Sequence, residues 1–277
     1  MAELGKLASL TINRLTDFGF FLDGEELGEI LMPKRYITPD MKIGDKVDVF
    51  IFLDGEERIV ATTDQPIAQV GEFAYMKVSK VETIGAFLHW GVTKELLVPF
   101  SEQKIKMEEG KSYVVFVYID KLTERPTASM KLEKYLSKEP APYQVNEEVD
   151  LLIWTKTDFG HKAIINNRYQ GVLYQNETFK RIATGQNHKG YIKKIREDGK
   201  IDLSLEPIGY ERIDDHASQI MDILSKAGGH LPYNDKTDPE VIYKIFHMSK
   251  KAFKQAIGNL FKHRLIIIDK NGISISK

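Results

Sequence analysis

The chain has 277 residues, 39 Lys and Arg against 40 Asp and Glu, and no cysteine. That length allows several small domains, and the absence of cysteine excludes a disulfide framework and thiol chemistry. No run approaches the roughly eighteen apolar residues of a membrane span, and the opening MAELGKLASL lacks a signal-peptide core, so a soluble cytoplasmic protein is expected.

In chain order, the first 64 residues read as five strand-sized runs: LASLTI (7–12), FGFFL (18–22), EILM (29–32), KVDVFIFL (46–53) and RIVAT (58–62). Period-two alternation between Asp, Gly and Pro clusters predicts β-strands. In KVDVFIFL, Val47, Val49, Ile51 and Leu53 share one face and Lys46, Asp48, Phe50 and Phe52 the other. Five short strands in about 65 residues fit a small closed barrel, which removes exposed edges. The pattern then recurs. Gly19, Gly85 and Gly160 sit in TDFGFFLD (16–23), TIGAFLHW (83–90) and TDFGHKAI (157–164). Each is followed 25 residues later by Gly44, Gly110 or Gly185, and preceded by 14 residues by Gly5, Gly71 or Asn146. Three landmarks in one register define a repeated building block. The expected barrels span 1–64, 66–137 and 143–206, with SKEPAP (137–142) and EPIG (206–209) as linkers.

Residues 208–277 follow another pattern. ERIDDHASQIMDILSKA (211–227) puts Ile213, Ala217, Ile220, Met221 and Leu224 on one helical face, and Gly228 and Gly229 stop it. Asp238 before Pro239 starts a second helix, and Ser249 caps a third over 249–264. LIIIDKNGISIS (265–276) is a hairpin turning at DKNG. Three helices and a hairpin predict an α+β winged helix after a mainly β multidomain region. In the third helix Phe253, Ile257, Leu260 and Phe261 form an apolar stripe. Lys251, Lys254, Gln255 and Lys262 fall opposite, and the segment has no acidic residue.

An opening glycine, an FG-aromatic strand, a GLVH-like string, a glycine before a long alternating strand, and a closing RI-x-L-S resemble the S-one (S1) domain. That is the RNA-binding repeat first named in a small-subunit ribosomal protein, and an OB-fold barrel. Copy two matches at TIGAFLHW and LVPFSE (97–102), and copy three at TDFG, GVLYQNE (171–177) and KIDLSLE (200–206). Three such copies followed by a winged helix resemble the conserved virulence factor B family of bacterial RNA-binding regulators. The resemblance implies a cytoplasmic, non-enzymatic protein acting on gene expression after transcription.

The resemblance also implies where bases would stack. The FG-strand rings fall at Phe18 and Phe21, then Ile84 and Phe87, then Phe159 and Lys162, and the histidine after GLV falls on Pro33, Pro99 and Tyr174. Charge adds a second distinction. Residues 1–64 carry seven Lys and Arg against thirteen Asp and Glu, residues 140–206 ten against nine, and residues 208–277 eleven against eight. Phosphate attraction needs local positive charge. DGEELGE (23–29) in the first copy is therefore read as a solvated acidic face or a dock for the ribosome or another RNA-processing protein. The third copy joins rings to cations, so Phe159, His161, Lys162, Arg168, Tyr174, Lys189, Tyr191, Lys193, Lys194 and Arg196 are the candidate RNA contacts. Lys251, Lys254, Gln255 and Lys262 are the candidate contacts of the winged helix. Phe159 and Tyr174 are otherwise core rings of a small barrel. Trp154 is expected to pack, whereas Trp90 fits packing or stacking equally. Lys193 and Lys194, adjacent in a strand, are expected on opposite faces.

Catalytic signals are absent. DFG at 17–19 and 158–160 lacks the Gly-rich loop and HRD string of kinases, and the seven histidines have no metal-ligand spacing, so no metal or cofactor is expected. Single-stranded RNA is the expected ligand. The alternatives are a transcription regulator reading duplex DNA through the winged helix, with the barrels as scaffold, and an accessory subunit of a nuclease or ribosome.

Overall fold

A computed structural model describes residues 1–174, 182–207 and 215–276. The chain divides into two compact units, Met1–Pro207 and Ile208–Lys277. Ile213, Asp214, the 208–209 end of EPIG and the Gln175–Glu177 end of GVLYQNE lie outside the described residues.

The first unit contains three closed five-stranded barrels. The first is built from β1 (Leu7–Leu15), β2 (Gly19–Asp23), β3 (Glu29–Pro33), β4 (Lys46–Leu53) and β5 (Ile59–Thr62). The second uses β6 (Phe73–Glu82), β7 (Gly85–Leu88), β8 (Leu96–Pro99), β9 (Ser112–Ile119) and β10 (Pro126–Ser129). The third uses β11 (Glu148–Thr157), β12 (Gly160–Ile165), β13 (Tyr169–Tyr174), β14 (Asn187–Ile195) and β15 (Ile201–Ser204). Each barrel closes in the order first, second, third, fifth, fourth strand, with a parallel pairing between third and fifth.

The glycine ruler has a backbone cause. The first strand of every barrel is bulged just after Ile12, Val78 or Ile153. The carbonyls of these residues accept from the Gly44, Gly110 and Gly185 amides at 2.8, 3.0 and 2.8 Å. The opening landmarks Gly5, Gly71 and Asn146 donate to Ile51, Val117 and Ile192 on the fourth strand at 2.8, 2.7 and 2.7 Å. All six residues have positive φ, which glycine adopts without penalty and asparagine tolerates. The second-strand glycine answers to space as well. A Cβ on Gly19 would lie 2.1 Å from the Met32 carbonyl oxygen, and one on Gly85 2.3 Å from that of Val98.

Alternation in β4 holds, and from Phe50 onward its outer face is covered as well. Val47, Val49 and Ile51 fill the first barrel, while Phe50 and Phe52 pack outward into the core of the second. Phe50 meets Trp90 edge-on at 5.1 Å. Trp90 is 2% exposed and donates Nε1–H to the Ala68 carbonyl at 2.7 Å, so it is a packing residue and offers no base a platform. A second seam joins barrels two and three through Phe73, Val114, Leu132, Leu136 and Ile164, with Trp154 half-buried against it. Asn167 clamps this seam, accepting from the Phe73 amide at 2.7 Å and donating to the Gly71 carbonyl at 3.0 Å.

The second unit is a winged helix. It comprises α1 (Asp215–Lys226), β16 (His230–Leu231), α2 (Pro239–Phe246), α3 (Lys250–Lys262), β17 (Ile266–Asp269) and β18 (Gly272–Ile275). Asp238 caps α2 by accepting from the Glu240 amide, and Ser249 caps α3 by accepting from that of Ala252. Ala217, Ile220 and Leu224 of α1 pack with Phe246, Phe253, Ile257 and Leu260. Phe261, expected in the same stripe, is 54% exposed. β18 lies between β17 and the two-residue β16, a strand too short to read from periodicity.

Candidate nucleic-acid interface

In the third barrel the turn between β11 and β12 lifts Phe159 into solvent at 76% exposure. Gly160 pairs directly with Tyr174 across the β12–β13 ladder, so the tyrosine ring stands one residue from Phe159 in register. Tyr174 is half-buried, and its hydroxyl accepts from Arg196 Nη2 at 2.5 Å. Arg196 also bridges Asp202, at 2.9 and 3.0 Å. This bond holds the guanidinium pKa above its ordinary value. Arg196 therefore positions Tyr174 and has its own carboxylate partner.

Lys162 lies on β12 with its ammonium 5.4 Å from the Trp154 ring, and Lys104 approaches the same ring at 5.5 Å. Trp154 turns outward because it follows Ile153 at the β11 bulge. A groove of about 860 Å³ runs beside these residues. It is lined by Lys162, Val172, Arg196 and Lys200 together with linker residues 137–141.

Other candidates fall elsewhere. His161 is buried at 9% exposure, its Nδ1 has no hydrogen-bond partner among the described residues, and its pKa is pushed down by burial and by Lys156. Aligned on the glycine, His161 occupies the place of Phe20 and Ala86, both buried in their own barrels. It was expected on the binding surface, and a side chain at that place faces the core. Arg168 bonds Glu139 of the linker at 2.5 Å. Lys189 pairs with Asp150 at 2.7 Å, and the Tyr191 hydroxyl donates to Glu148 at 3.1 Å. These two lie against β11 on the side of the barrel away from β13. Lys193 and Lys194 are both exposed, contrary to strict alternation. A bulge between Ile192 and Lys194 inserts the extra residue that lets both point outward.

The first barrel presents the same turn. Phe18 is 75% exposed, and Phe21 lies under the Arg14 guanidinium at 4.1 Å. Arg14 is itself paired with Glu29 at 2.6 Å. In the second barrel the aligned residue is Ile84, 57% exposed, and Lys80 covers Phe87 at 4.9 Å.

On α3 of the second unit Lys251, Lys254, Gln255 and Lys262 are exposed, as their spacing predicts. Lys254 has Asp235 at 3.7 Å. Among the described residues no cluster of His, Asp and Glu could hold a metal ion, and no helix is long and apolar enough to cross a membrane.

Comparison with known proteins agrees with this architecture. A CvfB-like winged helix domain matches residues 218–275, and the S1 domain matches residues 4–64 and 70–131. Both are nucleic-acid-binding types rather than catalytic families. The chain is 30% identical over 94% of its length, and 89% of the relative's, to the Bacillus subtilis protein YitL, described as uncharacterized. It is 25% identical to the Staphylococcus saprophyticus protein named Conserved virulence factor B, covering 99% of this chain and 95% of that one. It is also similar to a solved structure from Streptococcus pneumoniae, described as a multidomain protein with nucleic acid binding domains, at 23% identity, TM-score 0.44 and 98% coverage of both chains. A repeated S1 barrel with a CvfB-like winged helix, and similarity along nearly the whole chain, make this protein a member of the conserved virulence factor B family.

Proposed function

We propose that this chain is a non-enzymatic, cytoplasmic RNA-binding protein that regulates gene expression after transcription. In this reading single-stranded RNA is held by the third barrel and the winged helix. The observation that carries it is the solvent-facing Phe159 ring with Tyr174 beside it and Lys162 and Lys194 on the same barrel. Rings interleaved with cations suit single strands, because every base has a face to stack and every linkage a phosphate to attract. The duplex-DNA alternative is favoured by one feature, the lysine face of α3, a helix with no acidic residue of its own.

The test is a titration of the full chain with labelled single-stranded RNA and with duplex DNA at two salt concentrations. Single-stranded RNA should bind more tightly, and Phe159→Ala should weaken it by about 1–3 kcal/mol. Tighter binding of the duplex, or an unchanged affinity in Phe159→Ala, overturns the reading.

A further inference from the structure

The charge of the first barrel reverses at one place. Residues 1–64 carry thirteen Asp and Glu against seven Lys and Arg. At the seam between the first two barrels, however, a cavity of about 520 Å³ is lined by Arg35, Arg58 and Lys94 and by one carboxylate, Asp54. Leu31, Pro33, Phe52 and Val60 give it an apolar wall. A concave apolar space of this size with a few converging polar groups suits a small ligand.

The partners of these charges state the sign of the ligand. Asp54 and Arg58 neutralise one another through bonds of 2.9 and 2.7 Å. Arg35 and Lys94 have no carboxylate partner among the described residues. The Arg35 guanidinium lies over the Tyr36 ring at 4.7 Å and donates to the Thr93 hydroxyl at 3.3 Å. Lys94 donates to the Asp54 carbonyl at 3.2 Å. Each cation is thus tethered across the seam, one from either barrel, and its charge is left for an anion. A guanidinium fork suits a carboxylate.

The walls state the class of that anion. A polynucleotide would have to lie along the acidic surroundings as well, whereas a single small anion needs only the two cations. A free nucleotide would bring base edges and hydroxyls that require partners. The polar lining is already engaged. Asp54 Oδ1 accepts from the Glu56 and Arg58 amides at 2.8 and 3.0 Å, and the Thr93 hydroxyl bonds that of Tyr36 at 3.0 Å. What the cavity still offers is apolar wall and positive charge.

We infer that this cavity binds a small amphipathic acid, with a hydrocarbon or aryl body against Leu31, Phe52 and Val60 and its carboxylate on Arg35 and Lys94. Both barrels build the site, so the bound acid ties them together. The inference is independent of the RNA reading, since none of these residues is a candidate RNA contact.

Octanoate is the probe, with octan-1-ol as its uncharged counterpart and uridine monophosphate as a nucleotide. Each is titrated by calorimetry into the full chain and into Arg35→Gln, Lys94→Gln and Leu31→Trp. Octanoate should bind the parent and raise its melting temperature as its concentration rises. The alcohol and the nucleotide should bind about tenfold more weakly or worse, and each charge variant should lose about tenfold or more in octanoate affinity, the worth of a charged hydrogen bond. Leu31→Trp should abolish binding by filling the cavity. Affinity for single-stranded RNA should be unchanged in all three variants.

A parent chain that binds no octanoate overturns the inference, as does equal binding of octanoate and octan-1-ol, or octanoate binding that survives both charge variants. Tighter binding of uridine monophosphate makes the cavity a nucleotide site and overturns it too. If the charge variants lose affinity for single-stranded RNA and not for octanoate, the acid site falls and RNA contact extends to the first barrel. Should Leu31→Trp fail to fold, Arg35→Gln and Lys94→Gln, both at exposed side chains, still decide.

Discussion

The first and third barrels share strand order, bulge and glycine, and each lifts a phenylalanine into water at its first turn. They differ in what surrounds that ring and in the outer face of the fourth strand. On the glycine ruler, Asp48, Phe50 and Phe52 of β4 correspond to Lys189, Tyr191 and Lys193 of β14. The matching residues of β9 are Val114, Phe116 and Tyr118. Where another barrel follows, this face is aromatic and covered, with Phe50 and Phe52 against barrel two and Phe116 against barrel three. After the third barrel no further barrel follows, and the same positions are polar. The turn thus fixes whether a ring is exposed, while neighbours and charge fix what an exposed surface can hold. An exposed phenylalanine alone does not mark the binding barrel.

The largest effect expected from probing this difference lies in the seam. Trp90→Ala should destabilise the first two barrels by about 3–5 kcal/mol, read from a denaturant melt, and leave RNA affinity per folded molecule unchanged. A loss of affinity at full folding would make the second barrel part of the site. Next come the two matched rings. Phe159→Ala should weaken single-stranded RNA binding by about 1–3 kcal/mol and Phe18→Ala should not. Equal losses in the two variants would erase the distinction between the barrels.

Cations should give smaller changes. Lys194→Ala should lower the salt slope of binding by about one or less, with little change for Lys189→Ala, whose ammonium already faces Asp150. A larger slope change at Lys189 would move the interface to the β11–β14 side.

The smallest effect is in pH. Burial holds the folded His161 pKa below its ordinary 6.5, so the unfolded chain takes up a proton that the folded barrel refuses. The contribution is fully present above about pH 6.5 and is lost as pH falls toward the folded value. His161→Phe should therefore flatten this acid loss in a melt series. Barrel one, with Phe20 at the same place, should not show it. An unaltered pH profile in the variant would place the acid sensitivity elsewhere.

Much of this was legible in the residues. Landmark spacing gave the barrels because each landmark is a positive-φ position tied to a fixed carbonyl, and Asp238 and Ser249 gave the helix starts because capping is local. What alternation could not show is what covers each face. Phe50 and Phe52 share a strand face with Lys46 and Asp48, and Trp90 fits packing or stacking equally, until a neighbouring barrel is present; the bulge before Lys194 has no sequence mark of its own. His161 was a missed signal, since alignment on the glycine already sets it beside Phe20 and Ala86. The exposure of Phe261 depends on where the core of the unit ends, which helical periodicity leaves undefined.

The seams bear on how the molecule behaves in pieces. The Gly5 carbonyl accepts from the Val70 amide at 2.9 Å, and the Gly5 Cα lies so close to Val70 that a Cβ would stand 2.3 Å from its methyl. A fragment ending at residue 64 would leave Phe50, Phe52 and Val60 wetted, a contiguous apolar patch of the kind that drives self-association. A cut in the 137–142 linker would uncover Phe73 and Leu136 on one product and Ile164 on the other. Truncations would therefore report colloidal behaviour as much as binding, which is why the two halves are better compared through single side chains in the intact chain.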